Sequence, residues 1–387
     1  MSDNSQPITI FDTTLRDGEQ SAGVCFSKRD KLDIAAALDA MGVDVIEAGF
    51  PAASPAEFEN VRAVAEQVRG ASICGLARAV PQDVDAAADA LAGAERPRIH
   101  VFLNASDMQL AHQLGKDRDQ VAAMAEVAVR RARARVADVE FSPMDATRAD
   151  PEFVARIVRT AIEAGASTIN VPDTVGYATP TMMAERIEAL YARVPELRDV
   201  VLSFHGQDDL GLATANALSS VTAGARQLEV AVNGIGERAG NTALEEVVMA
   251  LRVHGPAMGV HTNVDSTGIA AVSRMVAERS GIAVPSNKAI VGRNAFRHAS
   301  GIHQDGVIKH RENYEVIDPA WVGHEAGSEI VLGKLSGRAG FMARVQSLGI
   351  SLSERGRLEA FEQFQRLADA RREVSDADVT AICGRVG

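Results

Sequence analysis

The sequence predicts an α/β fold, namely a (β/α)₈ TIM barrel followed by a mostly helical linker and lid region. Short apolar runs rich in β-branched residues alternate with helix-forming segments eight times, at intervals of about 30 residues, which is the length of a βα unit. The 387 residues suit one barrel of about 250 residues with an extension. An open doubly wound sheet is disfavoured, because the first predicted strand leads into DTTLRDGEQ and not into a GxGxxG turn.

Eight strands are predicted where an apolar run is bounded by polar or turn residues. In chain order they are Ile8–Phe11, Asp44–Ala48, Ser72–Leu76, Arg98–Leu103, Asp138–Ser142, Thr168–Val171, Val200–His205 and Gln227–Val232. Eight parallel strands with eight crossover helices close most simply into a barrel.

A helix is predicted after each strand, and several of these helices end at a glycine that can adopt the left-handed conformation. They are Lys28–Met41, Glu57–Val68, Asp83–Leu91, Arg118–Arg133, Pro151–Ala164, Thr181–Val194, Ala213–Ala223 and Ala243–Arg252. The barrel domain is therefore predicted to span residues 1–255.

The βα alternation stops after about residue 255, and residues 256–387 are predicted to form helical linker and lid subdomains. Val260–Gly281 is predicted to be mostly helical, and Ser336–Leu348 and Glu354–Ala368 are predicted to be two terminal helices. The polar, Gly- and His-rich stretch Asn287–Tyr314 is predicted to be an ordered functional loop region.

Composition narrows the function classes. The net charge of −12 argues against nonspecific nucleic-acid binding, which needs basic patches. No apolar run reaches the length of a membrane span, and MSDNSQPITIFD lacks the apolar core of a signal peptide. The three cysteines form no CxxC pair, which suits a reducing compartment. We therefore expect a cytoplasmic protein with no nucleic-acid or membrane partner.

Polar residues cluster where the predicted strands end, which is where barrel enzymes build their active sites. Among them are Arg16, Asp17, Gln20, Glu47, His100, Glu140, Ser142, Asp173, Thr174, His205, Gln207, Glu237 and Asn241. Oxygen and imidazole ligands of this kind suit a divalent cation. Such a cation can polarise a substrate carbonyl group.

Five long motifs resemble the 2-isopropylmalate synthase family, and they recur in order over nearly the whole chain. They are FDTTLRDGEQSAGVCFS, GFPAASPAEFE, NVPDTVGY, NGIGERAGN and SGIHQDGVIKHRENYE. The resemblance implies a Claisen-type condensation of acetyl-CoA with a 2-oxo acid, by default 2-oxoisovalerate. It also implies a divalent metal, which could be Mg, Mn or Zn, and a homodimer that exchanges its lids.

The resemblance also implies roles for individual residues. Asp17, His205, Asn241 and Gln207 correspond to the metal-binding positions. Arg16 would stabilise the developing enolate oxygen, and His303 would be a catalytic histidine of the lid that reaches the barrel of the partner subunit. The implied substrate-binding residues are Gln20, His100, Ser142 and Thr174.

Two positions depart from the family pattern. Gln207 stands where the family has the second histidine of His-x-His, which predicts metal binding that is weaker or more like that of Mg or Mn sites than of zinc sites. Met144 stands where the family has a catalytic glutamate, and a thioether cannot accept a proton; Asp145 and Glu140 are the candidate substitutes. A lyase on the same barrel or a catalytically impaired homologue therefore remain alternatives. Because the sequence stops at Gly387, leucine feedback through a C-terminal regulatory domain is not expected.

Overall fold

Eight parallel strands form a closed barrel in a computed structural model that describes residues 5–371 and 373–386. Each strand pairs with the next along the chain, and the first pairs with the last, so that Phe11 lies opposite Glu229. The strands are β1 Thr9–Asp12, β2 Val45–Gly49, β3 Ser72–Arg78, β4 Pro97–Asn104, β5 Asp138–Met144, β6 Thr168–Asp173, β7 Val201–Gly206 and β8 Gln227–Val230. The predicted (β/α)₈ barrel is confirmed.

Eight helices follow the eight strands, as predicted. They are α1 Lys28–Ala40, α2 Pro55–Gln67, α3 Pro81–Ala90, α4 Arg118–Arg133, α5 Pro151–Ala164, α6 Pro180–Arg193, α7 Ala213–Thr222 and α8 Leu244–Met258. Local sequence sets their starts. Ser27 and Asp117 form reciprocal capping boxes at α1 and α4, and proline occupies the first turn of α2, α3, α5 and α6, where its missing N–H is not needed.

Several strands extend beyond their predicted carboxyl ends. β3 continues to Arg78, β4 to Asn104, β5 to Met144 and β6 to Asp173. The sequence prediction ended three of these strands at an apolar residue and β5 at Ser142, but main-chain pairing continues for one or two further residues in each. The register shows this directly, because Asn104 lies opposite Met144. The extensions place Asn104, Met144 and Asp173 in the sheet at the rim of the barrel.

Charged side chains fill part of the barrel interior. Arg98 of β4 donates to Glu140 at 2.9 Å and to Gln227 at 2.7 Å, and Gln227 donates to Ser203 at 2.9 Å. Arg98 also pairs with Asp138 at 2.8 Å. A buried charge is tolerated when it is paired and hydrogen-bonded, so this network closes the floor of the barrel.

The chain divides into two compact units, of which the first ends at Ala283 and the second begins at Val284. The first unit also contains α9, Ile269–Ser280, within the stretch predicted to be mostly helical. The predicted domain boundary after residue 255 marks the end of the βα alternation, and it stays a prediction. The two compact units divide later in the chain, between Ala283 and Val284.

The second unit contains α10 Gly301–Lys309, α11 Arg338–Ser347, α12 Glu354–Ala370 and α13 Asp376–Cys383. Phe341, Phe364 and Ile382 are buried together in its core. Two predictions are corrected here. The region predicted to be a loop contains α10. This helix includes Gly301 and Gly306, and glycine has a low helix propensity. The two predicted terminal helices are followed by a third, α13, which has eight residues and starts at a capping box on Ser375.

Among the described residues, every helix is too short or too polar to cross a lipid bilayer.

The buried carboxyl group of Asp12, at the end of β1, predicts a pH-dependent stability. Burial raises its pKa from 3.8 to about 7, against the opposing effect of hydrogen bonds from Thr14. Since the folded pKa exceeds the unfolded one, the stabilisation is complete below about pH 4 and is lost as the pH rises through 7.

We therefore expect Asp12→Asn, which mimics the protonated acid, to stabilise the protein above pH 7 by roughly 2–4 kcal/mol and to change it little near pH 4. Urea unfolding at the two pH values measures this difference. An equal effect at both pH values would contradict the assignment.

Candidate active site

A pocket of about 270 Å³ opens at the carboxyl ends of the barrel strands. It lies where (β/α)₈ enzymes carry out their chemistry. The residues that line it are Arg16, Asp17, Gln20, Leu76, His100, Phe102, Ser142, Met144, Asn170, Pro172, Thr174, His205, Gln207, Glu229, Glu237 and Arg238. They come from seven of the eight strands or from the loops that follow them.

Arg16, in the loop after β1, holds two carboxylates beside the pocket. Its Nε donates to Glu47 at 2.6 Å, and its Nη1 donates to Asp17 at 2.7 Å. Burial by itself would raise the pKa of the Asp17 carboxyl group. The nearby charges of Arg16 and His205 act in the opposite direction, and the resulting pKa is about 2. Burial lowers the pKa of Arg16, but Glu47 and Asp17 raise it above its usual value. Both groups are therefore charged at neutral pH.

His205, at the end of β7, is held by a carboxylate behind it. Its Nδ1 lies 2.9 Å from Glu229 Oε2, and its Nε2 faces Asp17 Oδ2 at 3.7 Å. Glu229 is fully buried, and the hydrogen bond from His205 lowers its pKa to about 2 against the effect of burial. A carboxylate that accepts the Nδ1 proton leaves the Nε2 lone pair free to bind a metal.

Asn241 reaches the same point from the loop after β8. Its Nδ2 donates to Asp17 Oδ1 at 3.1 Å and to the Ile235 carbonyl at 3.0 Å. The loop comes this close because Gly236 has no side chain. A Cβ atom there would overlap the Asn241 carboxamide and would lie 3.1 Å from Asp17 Oδ1.

The Gln207 carboxamide lies between two sets of polar atoms. On one side are the carbonyl oxygens of Gly240 and Glu237, at 2.8 and 3.2 Å. On the other are Asn241 Oδ1 at 3.0 Å and, 3.4 Å away, both carboxylate oxygens of Asp17 and Nε2 of His205. The two carbonyl oxygens need a donor, so we place the amide nitrogen on their side. The amide oxygen of Gln207 then faces Asp17 and His205.

This donor set fits a divalent cation. A carboxamide oxygen against the Asp17 carboxylate is unfavourable by itself, because two acceptors face each other, and it becomes favourable when both bind one cation. One carboxylate, one imidazole and two carboxamides provide mostly oxygen ligands, which hard cations such as Mg²⁺ and Mn²⁺ prefer.

Two other groups of potential ligands lie within reach of one another in the described residues. They are Glu47, Cys74 and His100, and His100, Glu140 and Glu229. Glu47, Cys74 and Glu140 do not line the pocket, and burial raises the pKa of the Cys74 thiol well above its usual range. The open cluster around Asp17 is therefore the better candidate.

A second hydrogen-bonded chain forms the opposite side of the pocket. His100 Nδ1 lies 2.9 Å from Glu47 Oε1, and His100 Nε2 lies 2.6 Å from Ser142 Oγ. Asn170 Nδ2 donates to the same Ser142 oxygen at 2.8 Å, while Asn170 Oδ1 is buried without a partner among the described residues. These hydroxyl, amide and imidazole groups can bind a polar ligand in the pocket.

Met144 belongs to an apolar part of the lining, together with Leu76, Phe102 and Pro172. A carboxylate at position 144 would share the pocket with Asp17, Glu229 and Glu237, whereas the thioether adds contact area without charge.

Neither Asp145 nor Glu140, the candidate substitutes for the family's glutamate, lines the pocket. Asp145 is fully buried, has φ of 65° and binds Arg148 through both carboxylate oxygens at 2.8 Å. Glu140 is bound by Arg98 and Gln227 in the barrel floor. The structure therefore favours neither residue as the replacement, because Glu140 is paired below the pocket on the inward face of β5 and Asp145, just after β5, is paired with Arg148.

Nine of the ten residues predicted for the site lie together. Arg16, Asp17, Gln20, His100, Ser142, Thr174, His205 and Gln207 line the pocket, and Asn241 touches Asp17. His303 belongs to α10 of the second unit, where its ring stacks on Tyr314 with 4.1 Å between the ring centroids.

Sequence reasoning missed several lining residues, among them Leu76, Phe102, Asn170, Glu229 and Arg238. The signal that identifies four of them is strand alternation, since every second residue of a barrel strand faces inward. Phe102, for example, is two residues beyond His100. Arg238 lies in a loop at φ of 55°, and strand alternation could not have found it.

Two family models match the chain. The model described as HMGL-like matches residues 7–276, and the model described as homocitrate synthase post-HMGL domain-like matches residues 290–372.

Curated relatives are about half identical to this chain. The 2-isopropylmalate synthase of Rhodopirellula baltica is 50% identical over 98% of this chain and 72% of its own length. The enzymes of that name from Syntrophus aciditrophicus and Synechocystis are both 51% identical over 97% of this chain, and over 72% and 73% of their own lengths.

Solved structures resemble the fold at lower identity. The HMG-CoA lyase of Bacillus subtilis has a TM-score of 0.62 and 23% identity, covering 73% of this chain and 96% of its own. A second HMG-CoA lyase, from Acinetobacter baumannii, has a TM-score of 0.63 and 22% identity, covering 77% of this chain and 98% of its own. These likenesses support the barrel fold alone.

The position of Gly236 predicts that this residue is essential for cation binding. In Gly236→Ala the new Cβ atom pushes the Asn241 carboxamide away from Asp17, so we expect the affinity for Mn²⁺ to fall by about 10–100-fold, as when other supporting residues of metal sites are changed. Titration calorimetry with Mn²⁺ measures the affinity.

Gly384→Ala is the matched control, because the nearest atom to its Cβ lies 3.4 Å away. Unchanged Mn²⁺ affinity in a folded Gly236→Ala protein would contradict the site geometry.

Proposed function

This chain belongs to the 2-isopropylmalate synthase family. From that premise we propose that it condenses acetyl-CoA with a 2-oxo acid, and that water then hydrolyses the thioester to give a 2-alkylmalate and free CoA. It is an acetyl-CoA-dependent acyltransferase. We take 2-oxoisovalerate as the default oxo acid, in a metal-assisted reaction that belongs to leucine biosynthesis.

The observation that carries the proposal is the meeting of Asp17, His205, Gln207 and Asn241 beside the pocket. These residues come from the ends of β1, β7 and β8, and their polar atoms approach within 3.1–3.7 Å of Asp17. A cation held by them would polarise the carbonyl group of a bound oxo acid. The mainly oxygen donor set supports Mg²⁺ or Mn²⁺.

We assign the charge stabilisation to Arg16. Two of its nitrogens are fixed by Glu47 and Asp17, and a guanidinium group has further N–H donors for the developing enolate oxygen. Because the two carboxylates hold the guanidinium group in place, it needs no reorganisation during the reaction.

We assign the recognition of the oxo acid to the remaining pocket residues. His100 and Ser142 provide polar contacts on one wall, and Thr174 and Gln20 provide them near the mouth. The Thr174 hydroxyl accepts a bond from the main-chain N–H of Asp145 at 2.8 Å, so its own hydrogen can point to a substrate carboxylate. Leu76, Phe102, Met144 and Pro172 can pack against an apolar substituent.

We further propose His303 as a catalytic residue that a second copy of the chain supplies in a homodimer with exchanged lids. Ile302, Val316 and Leu335 of the second unit are each more than 70% exposed, so a second copy that covered them would bury apolar surface. Sedimentation of the protein as a dimer supports this arrangement, and a monomer that is fully active contradicts it.

The proposal predicts thiol release that depends on both an oxo acid and a divalent cation. We expect a thiol-trapping assay with acetyl-CoA and a panel of 2-oxo acids to show turnover with Mg²⁺ or Mn²⁺, and little turnover with Zn²⁺. Turnover with Asp17→Asn should be lost. The absence of thiol release with every oxo acid and metal would contradict the proposal, and would favour a homologue that has lost the chemistry.

The Gln207 oxygen makes a separate prediction about metal preference. Because imidazole is a better zinc ligand than a carboxamide oxygen, we expect Gln207→His to raise the affinity for Zn²⁺ by at least about tenfold relative to Mn²⁺. Competition calorimetry with the two ions measures the ratio. An unchanged ratio means that Gln207 is not a ligand.

A further inference from the structure

Three loops that carry proposed site residues meet at the rim of the barrel. The loop after β6 contains Thr174, to which we assign the carboxylate of the oxo acid. The loops after β7 and β8 contain Gln207 and Asn241, to which we assign the cation. An oxo acid that reaches the cation with its oxo group and Thr174 with its carboxylate needs a fixed distance between these loops.

The side chain of Arg238 joins all three loops. From the loop after β8, its Nε and Nη2 donate to the two carboxylate oxygens of Asp209, in the loop after β7, both at 2.8 Å. Its Nη2 also donates to the Thr174 carbonyl, in the loop after β6, at 2.8 Å. A guanidinium group is planar, and its donors have a fixed geometry, so one side chain sets the positions of both acceptors together.

The backbone of Arg238 indicates that this contact is specific. Its φ of 55° lies in the left-handed region, which is unfavourable for a residue with a Cβ atom. Such a conformation persists where the surrounding structure imposes it, and it is common at functional sites. The charge-assisted hydrogen bonds of the side chain to Asp209 and Thr174 offset its cost.

A glycine in the loop after β6 shows how closely this loop packs on the next one. Gly176 has φ of 57°, and a Cβ atom there would lie 2.6 Å from the main-chain nitrogen of Asp209 and 2.8 Å from the Gln207 carbonyl oxygen. The loop after β6 therefore rests on the backbone that leads from a proposed cation ligand to the partner of Arg238.

The proposed cation ligands have a support of their own. Gln207 and Asn241 form a main-chain bridge between the loops after β7 and β8, and the Asp208 N–H donates to the Gly240 carbonyl at 2.8 Å. These contacts do not involve the Arg238 side chain, so we expect the cation site to keep its geometry without it. The Arg238 side chain adds the connection to the loop after β6.

The pair of Arg238 and Asp209 contributes little to the stability of the fold. Their side chains are 42% and 26% exposed, and exposed ion pairs add little to the free energy of unfolding. The hydrogen bond from Arg238 lowers the pKa of Asp209, so the pair is charged at neutral pH. Because Arg238 also lines the pocket, the position of the pair indicates a role in ligand binding.

We propose, on the basis of the proposed function, that Arg238 and Asp209 form a clasp that sets the distance between Thr174 and the cation site. The clasp favours ligands that carry a carboxylate beside an oxo group. Arg238 is a positioning residue, since it acts through Thr174 and takes no part in proton transfer. The clasp is therefore independent of which residue removes the acetyl proton, and of the role of His303.

The test measures the binding of 2-oxoisovalerate to the Mn²⁺-loaded protein by titration calorimetry. Because a misplacement of about 1 Å can cost about 10²-fold, we expect Arg238→Gln to weaken this binding by about 10–100-fold. The KM for the oxo acid should rise by a similar factor and kcat should change less. The KM for acetyl-CoA, the affinity for Mn²⁺ alone and the melting temperature should stay nearly unchanged.

Arg156→Gln is the matched control. It removes an exposed ion pair of Arg156 on α5 with Asp119 on α4, on the outside of the barrel, and it should change none of these quantities.

A double-mutant cycle tests whether the two residues of the clasp act together. Asp209→Asn should weaken oxo-acid binding as Arg238→Gln does, and the double variant should bind no more weakly than either single variant. Arg238→Lys keeps the charge without the planar fork, so its affinity for the oxo acid should be intermediate.

Three results would overturn the clasp. The first is a folded Arg238→Gln protein whose oxo-acid affinity stays within about threefold of the unchanged protein, as for an ordinary surface substitution. The second is an equal loss of affinity for Mn²⁺ alone, and the third is a pair of single-variant losses that multiply in the double variant.

The proposed function is tested separately from the clasp. An unchanged protein that binds the oxo acid through the clasp but releases no thiol contradicts the condensation and supports the clasp. An unchanged protein that binds no 2-oxo acid contradicts both.

Discussion

The Arg16 guanidinium, held between the carboxylates of Glu47 and Asp17, is the interaction on which the site depends. It joins the first two strands at the rim of the barrel, and it keeps Asp17 ionised although that carboxylate is buried. Through Glu47 it also fixes the orientation of His100 on the opposite wall. Removing one partner of a buried ion pair leaves an uncompensated charge and is strongly destabilising, so the donors on both sides of the pocket rely on this one side chain.

The loop after β8 completes the site through its backbone. Gly236 lets the loop approach Asp17, and at Gly240, with φ of 99°, a Cβ atom would overlap the Gly234 carbonyl. The same loop provides Asn241, the carbonyl oxygens that orient Gln207, and the Arg238 side chain at the mouth. In the proposed metal site, glutamine in place of the family's histidine would change a ligand atom without changing the charge of the centre. Methionine in place of the family's glutamate at position 144 would remove a proton acceptor from the opposite wall.

The barrel could be predicted from sequence because each strand is a short apolar run and each helix has its own start signal, as at Ser27. Strand ends such as Asn104 could not be placed, because pairing with the neighbouring strand, and not apolar character, keeps them in the sheet. The meeting of Asp17 with His205 could be expected from the motifs and the barrel topology. The pairing of Asp145 with Arg148 and of Asp209 with Arg238 could not, because they depend on side-chain packing that no linear pattern records.

The most direct test of the central claim is anomalous diffraction from crystals grown with Mn²⁺ and collected near the manganese absorption edge. The account predicts one strong peak per chain, within bonding distance of Asp17, His205, Gln207 and Asn241. A peak at another site with none here, or no peak at saturating Mn²⁺, would contradict it.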